Sequence, residues 1–349
     1  MKPIIGITMG DPASIGPELC LRLASDPRLF DTCRPLIIGD AAILERAKSF
    51  PGIPDVRIHS VSAPGEGLYS FGNLDVLDMK LTRPENIPVG QVSPGAGHAA
   101  FCYVEKAIQL AMSGLIDATV TNALNKEAMN LAGHHFAGHT EIYAHYTGVS
   151  QYTMMLAHEN MRIVHVSTHV SLREACDRVK KERVLQVIRI ADEACRDMGI
   201  EAPRIGVAGL NPHCGEGGLF GREEIDEIAP AIKAANAEGI LADGPIPPDT
   251  IFSKLRGGWY DIAVAMYHDQ GHIPLKVLGF VYDRSSQKWQ SVSGVNITLG
   301  LPIIRTSVDH GTAFDQAGLG TASVSSLQNA VDYAVRFAAT KMAKSGTMR

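Results

Sequence analysis

Short runs of aliphatic and β-branched residues alternate along this chain with longer segments of helical periodicity, and this alternation limits the possible folds more than any other feature. Strands are predicted at Ile4–Thr8, Pro35–Ile38, Ala118–Thr121, Arg162–Val166, Ile205–Ala208, Asp261–Ala265 and Ile303–Thr306. Helices are predicted where apolar residues recur at three- and four-residue intervals, at Gly97–Met112, Glu182–Met198, Glu223–Asn236 and Leu327–Ala343. The pattern is typical of α/β proteins with a mostly parallel sheet, so we predict α/β/α layers.

The length of the chain predicts two domains, because 349 residues exceed the roughly 100–200 residues of a typical domain. A new series of turns and histidines begins near residue 130. Proteins of this class often return their C-terminus to the first domain. We therefore expect one α/β domain formed by residues 1–130 with approximately 310–349, and a second formed by approximately 131–309.

Composition excludes several classes of function. The formal net charge of −5 provides no basic surface for a nucleic acid. The six cysteines include no C-x-x-C pair, which favours free thiols in a reducing compartment. The first apolar run is too short for a signal peptide, and no apolar run of about 18 residues is present. We expect a cytoplasmic protein that acts on small molecules, with no membrane partner.

Polar segments follow several predicted strands, at the sheet edge where open α/β proteins bind ligands. Three histidines in these segments, His169, His213 and His268, follow separate strands and would form a metal site if they converged. Three imidazoles are a common ligand set for zinc and similar divalent cations, and they leave a position open for substrate. Each histidine taken alone is better explained as a hydrogen-bonded loop residue, and only their convergence would favour a metal site.

Residues next to these histidines are candidates for supporting roles. Asn211 and Glu216 flank His213, and Asp269 and Gln270 follow His268. Such groups fix the tautomer of a ligand histidine, although the same residues also form turns.

A second set of residues indicates binding of an anion. Arg305 offers a two-pronged donor to a carboxylate or phosphate, and it lies in an apolar run where an unpaired charge would be costly. Lys276 is also flanked by apolar residues, and Asn296 adds an amide. Because desolvation lowers the pKa of a lysine, Lys276 is a candidate for proton transfer.

Three further segments have simpler interpretations. The turn Gly10–Glu18 joins a strand to a helix but matches neither phosphate-binding glycine motif, so a structural turn is predicted. Asp249 is placed to cap a helix at Thr250–Leu255, or to accept a proton if its loop faces a metal. Cys214 is interpreted as loop packing, and the polar stretch Tyr282–Gly294 as a surface hairpin or loop.

Taken together, these segments resemble the 4-hydroxythreonine-4-phosphate dehydrogenase (PdxA) family. The likeness extends from Gly6–Pro12 to Asp309–Thr312. Between these ends the family motifs occur in order, at Asn125–Glu127, Gly138–Glu141, Asn211–His213, Met266–Gly271, Val295–Pro302 and Arg305–Thr312.

The resemblance implies a two-domain fold similar to isocitrate and isopropylmalate dehydrogenases, in a homodimer whose active site is shared between subunits. It implies an oxidoreductase that uses NAD without the usual Rossmann fingerprint, through residues that are not identified. His169, His213 and His268 match the family's ligands for a divalent cation (Zn, Mg, Co, Mn or Ni), contributed across the dimer. The family's substrate-binding positions are matched by His139, Thr140, Lys276, Asn296 and Arg305.

The implied reaction is oxidation of a β-hydroxy acid, with decarboxylation following. Lys276 is the expected proton-transfer residue, with Asp249 or Asp269 assisting. The family's vitamin enzymes act in pyridoxine biosynthesis. Two segments of this chain, Pro245–Thr250 and Gly271–Lys276, look more like the branch that acts on D-erythronate or D-threonate 4-phosphate, in carbohydrate metabolism. Ser14 also replaces a glycine that is usual in the first turn, and 282–294 is an insertion.

Two alternatives remain open at this point. One is a relative that oxidises a cis-dihydrodiol carboxylate, as in terephthalate breakdown, and needs no phosphate-binding residues. The other is a non-catalytic protein that keeps the fold and binds a metabolite. The presence of all three candidate metal ligands disfavours the second alternative.

Overall fold

The computed structural model describes residues 2–284 and 288–346. Fourteen strands are found within these ranges: β1 Ile4–Thr8, β2 Arg34–Gly39, β3 Arg57–Val61, β4 Asn73–Asp78, β5 Ala118–Thr121, β6 Thr153–His158, β7 Met161–His165, β8 Arg204–Ala208, β9 Leu241–Ile246, β10 Ile262–Ala265, β11 Phe280–Asp283, β12 Lys288–Val292, β13 Val295–Leu299 and β14 Arg305–Val308. All seven predicted strands are present, with ends shifted by no more than two residues.

Twelve α-helices lie within the same ranges: α1 Gly16–Ala24, α2 Pro27–Thr32, α3 Ala41–Ala47, α4 Pro94–Met112, α5 Lys126–Leu131, α6 His139–Thr147, α7 Leu172–Asp177, α8 Lys181–Asp197, α9 Ala229–Ala237, α10 Ile251–Arg256, α11 His268–Gly279 and α12 Ser325–Gly346. The four predicted helices correspond to α4, α8, α9 with the turn before it, and α12. The start of α4 shows the local cause, because the Ser93 side chain accepts the Ala96 N–H and Pro94 opens the first turn.

The chain divides into two compact units, residues 1–150 with 301–349 and residues 151–300. The sequence prediction placed these boundaries near 130 and 310. Residues 131–150 belong to the first unit because Ile142 and Tyr143 of α6 pack against Phe101 and Ile108 of α4 in one apolar core. Three predicted site residues, His139, Thr140 and Arg305, therefore lie in the first unit.

The first unit contains a parallel sheet with strand order β3-β4-β2-β1-β5-β14. Its central strands are buried along nearly their whole length, as expected for strands covered by helices on both faces. Parallel strands place all their carboxyl ends at one edge. The segments after β1, β5 and β14 therefore lie at the same edge.

The second unit contains a mixed sheet with strand order β13-β6-β7-β10-β8-β9. β7, β10, β8 and β9 are parallel, whereas β6 is antiparallel to both β7 and β13. The α/β class is confirmed, but this sheet is less parallel than the sequence pattern predicted. The segments that follow β7, β8 and β10, and carry the three candidate ligands, begin at one edge.

The polar stretch 282–294 contributes to an antiparallel hairpin of β11 and β12, in which Phe280 pairs with Val292 and Asp283 with Lys288. A hairpin was one of the two predicted forms, and residues 285–287 of the stretch lie outside the described ranges. Among the helices that the structure describes, none has the length and apolar character needed to cross a bilayer.

Candidate metal and substrate site

Two of the candidate ligands lie side by side in the second unit. His169 follows β7 and His268 begins α11 directly after β10, and these two strands are neighbours. The centres of the two imidazole rings are 5.8 Å apart. His268 Nδ1 is 2.6 Å from Asp269 Oδ1, and this hydrogen bond holds the pKa of Asp269 below its ordinary value. With Nδ1 donating to Asp269, the Nε2 atom of His268 is the one that can bind a metal.

Two further histidines, His272 and His165, lie next to His268 on the buried side. The motif analysis did not assign either of them. The His272 ring stacks on His268 with 3.5 Å between ring centres, and His165 lies 4.9 Å from His272 on its other side. Burial lowers the pKa of His272 to about 4 and that of His165 to about 3. Both inner rings are therefore neutral at physiological pH.

The third candidate ligand, His213, lies on a turn with an unusual backbone. Residues 213–217 all have positive φ angles, between 45° and 75°, and three of these five residues are not glycine. Side chains rarely adopt this left-handed region, and each such residue costs on the order of 1 kcal/mol. His213 is 66% exposed, and its Nδ1 is 3.4 Å from Glu216 Oε2.

Glu224 holds the start of this strained turn in place. Its buried carboxylate accepts the backbone N–H groups of Leu210 and Asn211 at 2.8 and 2.7 Å, and the Asn211 amide at 2.9 Å. Glu223 accepts the same Asn211 amide at 2.7 Å. Asn211 therefore anchors the turn, which is the second of the two roles that the sequence left open for it.

Gln270 links the His213 turn to the start of α11. Its side-chain oxygen accepts the Met266 N–H at 2.6 Å, and its amide donates to the Gly209 carbonyl at 2.9 Å. Both bonds are buried, so Gln270 fixes the backbone before His213 relative to the backbone before His268. These bonds join two main-chain segments, whereas the sequence analysis had proposed that Gln270 fixes the tautomer of a histidine or forms a turn.

The residues present fit a divalent cation that prefers nitrogen ligands. His169 and His268 supply two neighbouring rings, and the Asp269 bond leaves Nε2 of His268 available. Within residues 2–284 and 288–346 of a single chain, no three His, Cys, Asp or Glu side chains group closely enough to hold a metal. In the described part of a single chain, His213 is therefore not close enough to His169 and His268 to complete a three-histidine site.

The predicted proton-transfer residues have different surroundings. Lys276 is half-buried on α11, with its Nζ 5.3 Å from the centre of the Phe280 ring. Asp249 and Asp269 are exposed. The predicted helix cap is wrong: α10 begins at Ile251 with Thr250 at the N-cap position, and Asp249 lies one residue outside that position, so no side-chain hydrogen bond caps the helix.

Asn296 and Cys214 complete the predicted positions in the second unit. Asn296 Nδ2 lies 2.8 Å from Met154 Sδ, and its buried Oδ1 has no hydrogen-bond partner in the described ranges. That oxygen can accept a hydrogen bond from a ligand. Burial raises the pKa of Cys214 to about 11, so its thiol is protonated, which agrees with a packing role.

The first unit gathers a compact cationic group. Arg305 is 3% exposed, donates to Thr121 Oγ1 at 2.9 Å and lies 5.6 Å from the centre of the Tyr143 ring. Burial, followed by the charges of Arg305 and Lys126, lowers the pKa of His139 well below its ordinary value. His139 and Thr140 are the first residues of α6, and the positive end of a helix dipole at its N-terminus favours an anion.

The turn between β1 and α1 is a structural turn, as predicted. Ser14 donates to the Asp11 carbonyl at 2.7 Å and accepts the Gly16 N–H at 3.0 Å, so the serine closes the turn. The N–H groups of Asp11, Ala13 and Ile15 also have protein acceptors. These groups are therefore occupied, and the turn does not present them to the phosphates of a dinucleotide.

The sequence analysis missed four contributors to these groups. Glu224, His165 and His272 act through tertiary contacts, and the position of His272 within the Gly271–Lys276 segment was the only sequence signal for it. Lys126 opens α5, and its Cε approaches Gly138, directly before His139. Its place in the Asn125–Glu127 motif was the available signal.

Comparison with known proteins gives a consistent result. The family described as pyridoxal phosphate biosynthetic protein PdxA matches residues 31–334. A relative from Cupriavidus necator, named D-threonate 4-phosphate dehydrogenase, is 46% identical over 94% of this chain and 95% of its own. A crystal structure of 4-hydroxythreonine-4-phosphate dehydrogenase from Klebsiella pneumoniae is 43% identical, with a TM-score of 0.86 over 97% of this chain and 98% of that one.

A more distant solved structure represents another activity. It is a terephthalate 1,2-cis-dihydrodiol dehydrogenase from Burkholderia xenovorans, 29% identical, with a TM-score of 0.67 over 96% of this chain and 98% of that one. All three relatives are named dehydrogenases, and the names support dehydrogenase activity for this chain.

Proposed function

The chain belongs to the PdxA family, and from this premise we propose that it is a metal-dependent, NAD-linked dehydrogenase that oxidises and then decarboxylates a 4-phosphorylated four-carbon β-hydroxy acid. The proposed substrates are D-threonate or D-erythronate 4-phosphate, or 4-hydroxythreonine 4-phosphate. The observation that carries the proposal is the adjacency of His169 and His268, with Lys276 on the same helix as His268.

His169, His213 and His268 are the proposed metal ligands, shared between two copies of the chain. When bound, a divalent cation would polarise the substrate oxygen, and NAD would accept the hydride. An exposed apolar side chain follows each histidine within seven residues, namely Leu172, Phe220 and Ile273. A second copy would cover such side chains, so a homodimer is part of the proposal.

The chain's own residues are proposed to bind the substrate and move protons. Arg305, His139 and Thr140 in the first unit suit a phosphate or carboxylate, because they combine a buried cation with a helix N-terminus. In the second unit, Asn296 supplies a buried acceptor for a hydroxyl. Lys276 would take the proton of the hydroxyl during oxidation and return one to the carbon that loses carbon dioxide. Asp249 or Asp269 would assist this transfer.

The test is a screen for NADH formation with added Mg²⁺, Mn²⁺, Co²⁺, Ni²⁺ or Zn²⁺. The substrates are 4-phosphorylated four-carbon acids, their dephosphorylated forms and a cis-dihydrodiol carboxylate. We expect turnover only with the phosphorylated acids, together with release of carbon dioxide. Turnover of the dihydrodiol instead would favour the terephthalate-type reaction. Binding without NADH formation across the panel would favour a non-catalytic protein.

Two variants separate metal binding from proton transfer. His213→Ala is expected to lower the metal content and abolish turnover, because it removes one imidazole of three. Lys276→Ala is expected to keep the metal and abolish turnover. Metal content measured by mass spectrometry and kcat measured by NADH formation check both expectations. Full activity in His213→Ala would contradict the metal assignment.

A further inference from the structure

We propose that His272 is a positioning residue that fixes the orientation of the His268 imidazole. The inference rests on the proposed role of His268 as a metal ligand and extends it to a residue outside the ligand set. His268, His272 and Lys276 are spaced four residues apart on α11, so they share one face of that helix. His272 therefore lies between the candidate metal ligand and the candidate proton-transfer residue.

The contact between the two histidine rings is close and nearly parallel. Their centres are 3.5 Å apart, and their planes differ by 13°. His272 Nδ1 lies 2.8 Å from the backbone carbonyl of His268, which can only accept, so this nitrogen is the donor. The bond ties the His272 ring to its own helix and holds it flat against His268.

Packed residues also contact His272 on the side away from His268. It is 7% exposed, and the fully buried His165 ring lies 4.9 Å away at an angle of 44°. The backbone of α11 passes directly over His165, because a Cβ added at Gly271 would lie 2.4 Å from His165 Nε2. His165 is itself fixed by the Met154 carbonyl, 3.3 Å from its Nδ1. The stack is therefore backed by packed side chains.

Two contacts together restrain the orientation of the His268 ring. Asp269 binds its Nδ1 edge, and His272 covers one of its faces. A ligand imidazole must point the Nε2 lone pair at the cation, and each lost restraint adds rotational freedom that metal binding must remove. Hydrogen-bonded groups that orient a ligand histidine typically change metal affinity by about 10–100-fold, and a stacked ring restrains the same rotation.

The test compares His272→Ala with His272→Phe in the full-length protein. The alanine variant removes the stacked ring, whereas the phenylalanine variant keeps a flat ring and loses the Nδ1 bond. The dissociation constant for Co²⁺ is measured by competition with a chromogenic chelator, and the visible Co²⁺ spectrum reports the coordination geometry. His145→Ala, an exposed histidine of α6, is the control for loss of an imidazole.

We expect Co²⁺ to bind about 10-fold more weakly to His272→Ala, with an altered spectrum, and within about threefold of wild type to His272→Phe. Equal affinity and an unchanged spectrum in His272→Ala would overturn the inference. Equal loss in both variants would also overturn it, because stacking would then not be the cause. If His268→Ala binds Co²⁺ as well as wild type does, the proposed metal site itself fails, and that result is distinct from the other two.

Discussion

Replacing Asp11 with Asn is expected to stabilise the protein, increasingly so as the pH rises. Asp11 is fully buried, and burial raises its pKa from the ordinary 3.8 to about 6, although the Ala13 N–H donates to its Oδ1 at 2.8 Å. Its other oxygen has no hydrogen-bond partner among the described residues. The folded protein therefore holds an isolated carboxyl group that opposes ionisation.

The raised pKa of Asp11 sets both the direction and the size of the change in stability with pH. Because the pKa is higher in the folded state, the folded protein binds the proton more tightly, and stability falls as the pH rises from 3.8 through about 6. The difference corresponds to on the order of 3 kcal/mol above pH 7, at about 1.4 kcal/mol per pH unit. About half of this cost is already present at pH 5.

The assay is urea unfolding of both proteins without ligands at pH 5 and pH 8. Asn keeps the oxygen that accepts the Ala13 N–H and carries no charge. The free energy of unfolding of Asp11→Asn, relative to that of wild type, should therefore be about 1–2 kcal/mol larger at pH 8 than at pH 5. Asp31→Asn removes the same charge from an exposed position and controls for net charge. A stability difference that stays constant or shrinks with pH would refute the reasoning.

Three further predictions concern buried acceptors and the metal. Glu18→Ala removes the buried acceptor of the Gly318 and Gly320 N–H groups, and urea unfolding should show a loss of about 2–4 kcal/mol; an unchanged midpoint would contradict this account. Gln270→Met removes two buried hydrogen bonds and should lower the free energy of unfolding by about 2–3 kcal/mol. The variant should also be cleaved faster than wild type between residues 209 and 218 in limited proteolysis. Cleavage at the wild-type rate would be evidence against the linking role of Gln270. Dialysis against a chelator should lower the Tm of wild type and leave that of His268→Ala unchanged, and equal Tm shifts in both would count against the metal assignment.

The local elements and their class were predictable because they depend on short-range patterns. The β1 and β5 ranges matched the observed strands, since continuous apolar runs bounded by turns are typical of buried parallel strands. β6 and β13 were missed for a related reason. Antiparallel pairing inside a largely parallel sheet depends on which strands meet, and that information is not contained in either segment alone.

Some candidate site residues could be recognised from the sequence, whereas their surroundings could not. Local motifs indicated His169, His268 and Arg305, because these residue types are costly or unusual where they occur in the sequence. The supporting contacts were not predictable in the same way. Gln270 bonds to Gly209, 61 residues away, and His272 is flanked by His165 only because β7 and β10 are neighbours.

The sequence by itself determined the alternation of strands and helices, the motif residues and the family, since each of these follows from residue types at short spacing. Only the tertiary structure decided that residues 131–150 join the first unit and that His272 stacks on His268. It also decided that the backbone of residues 213–217 adopts positive φ angles. Those features depend on contacts between distant segments, whose energies appear only when the segments pack together.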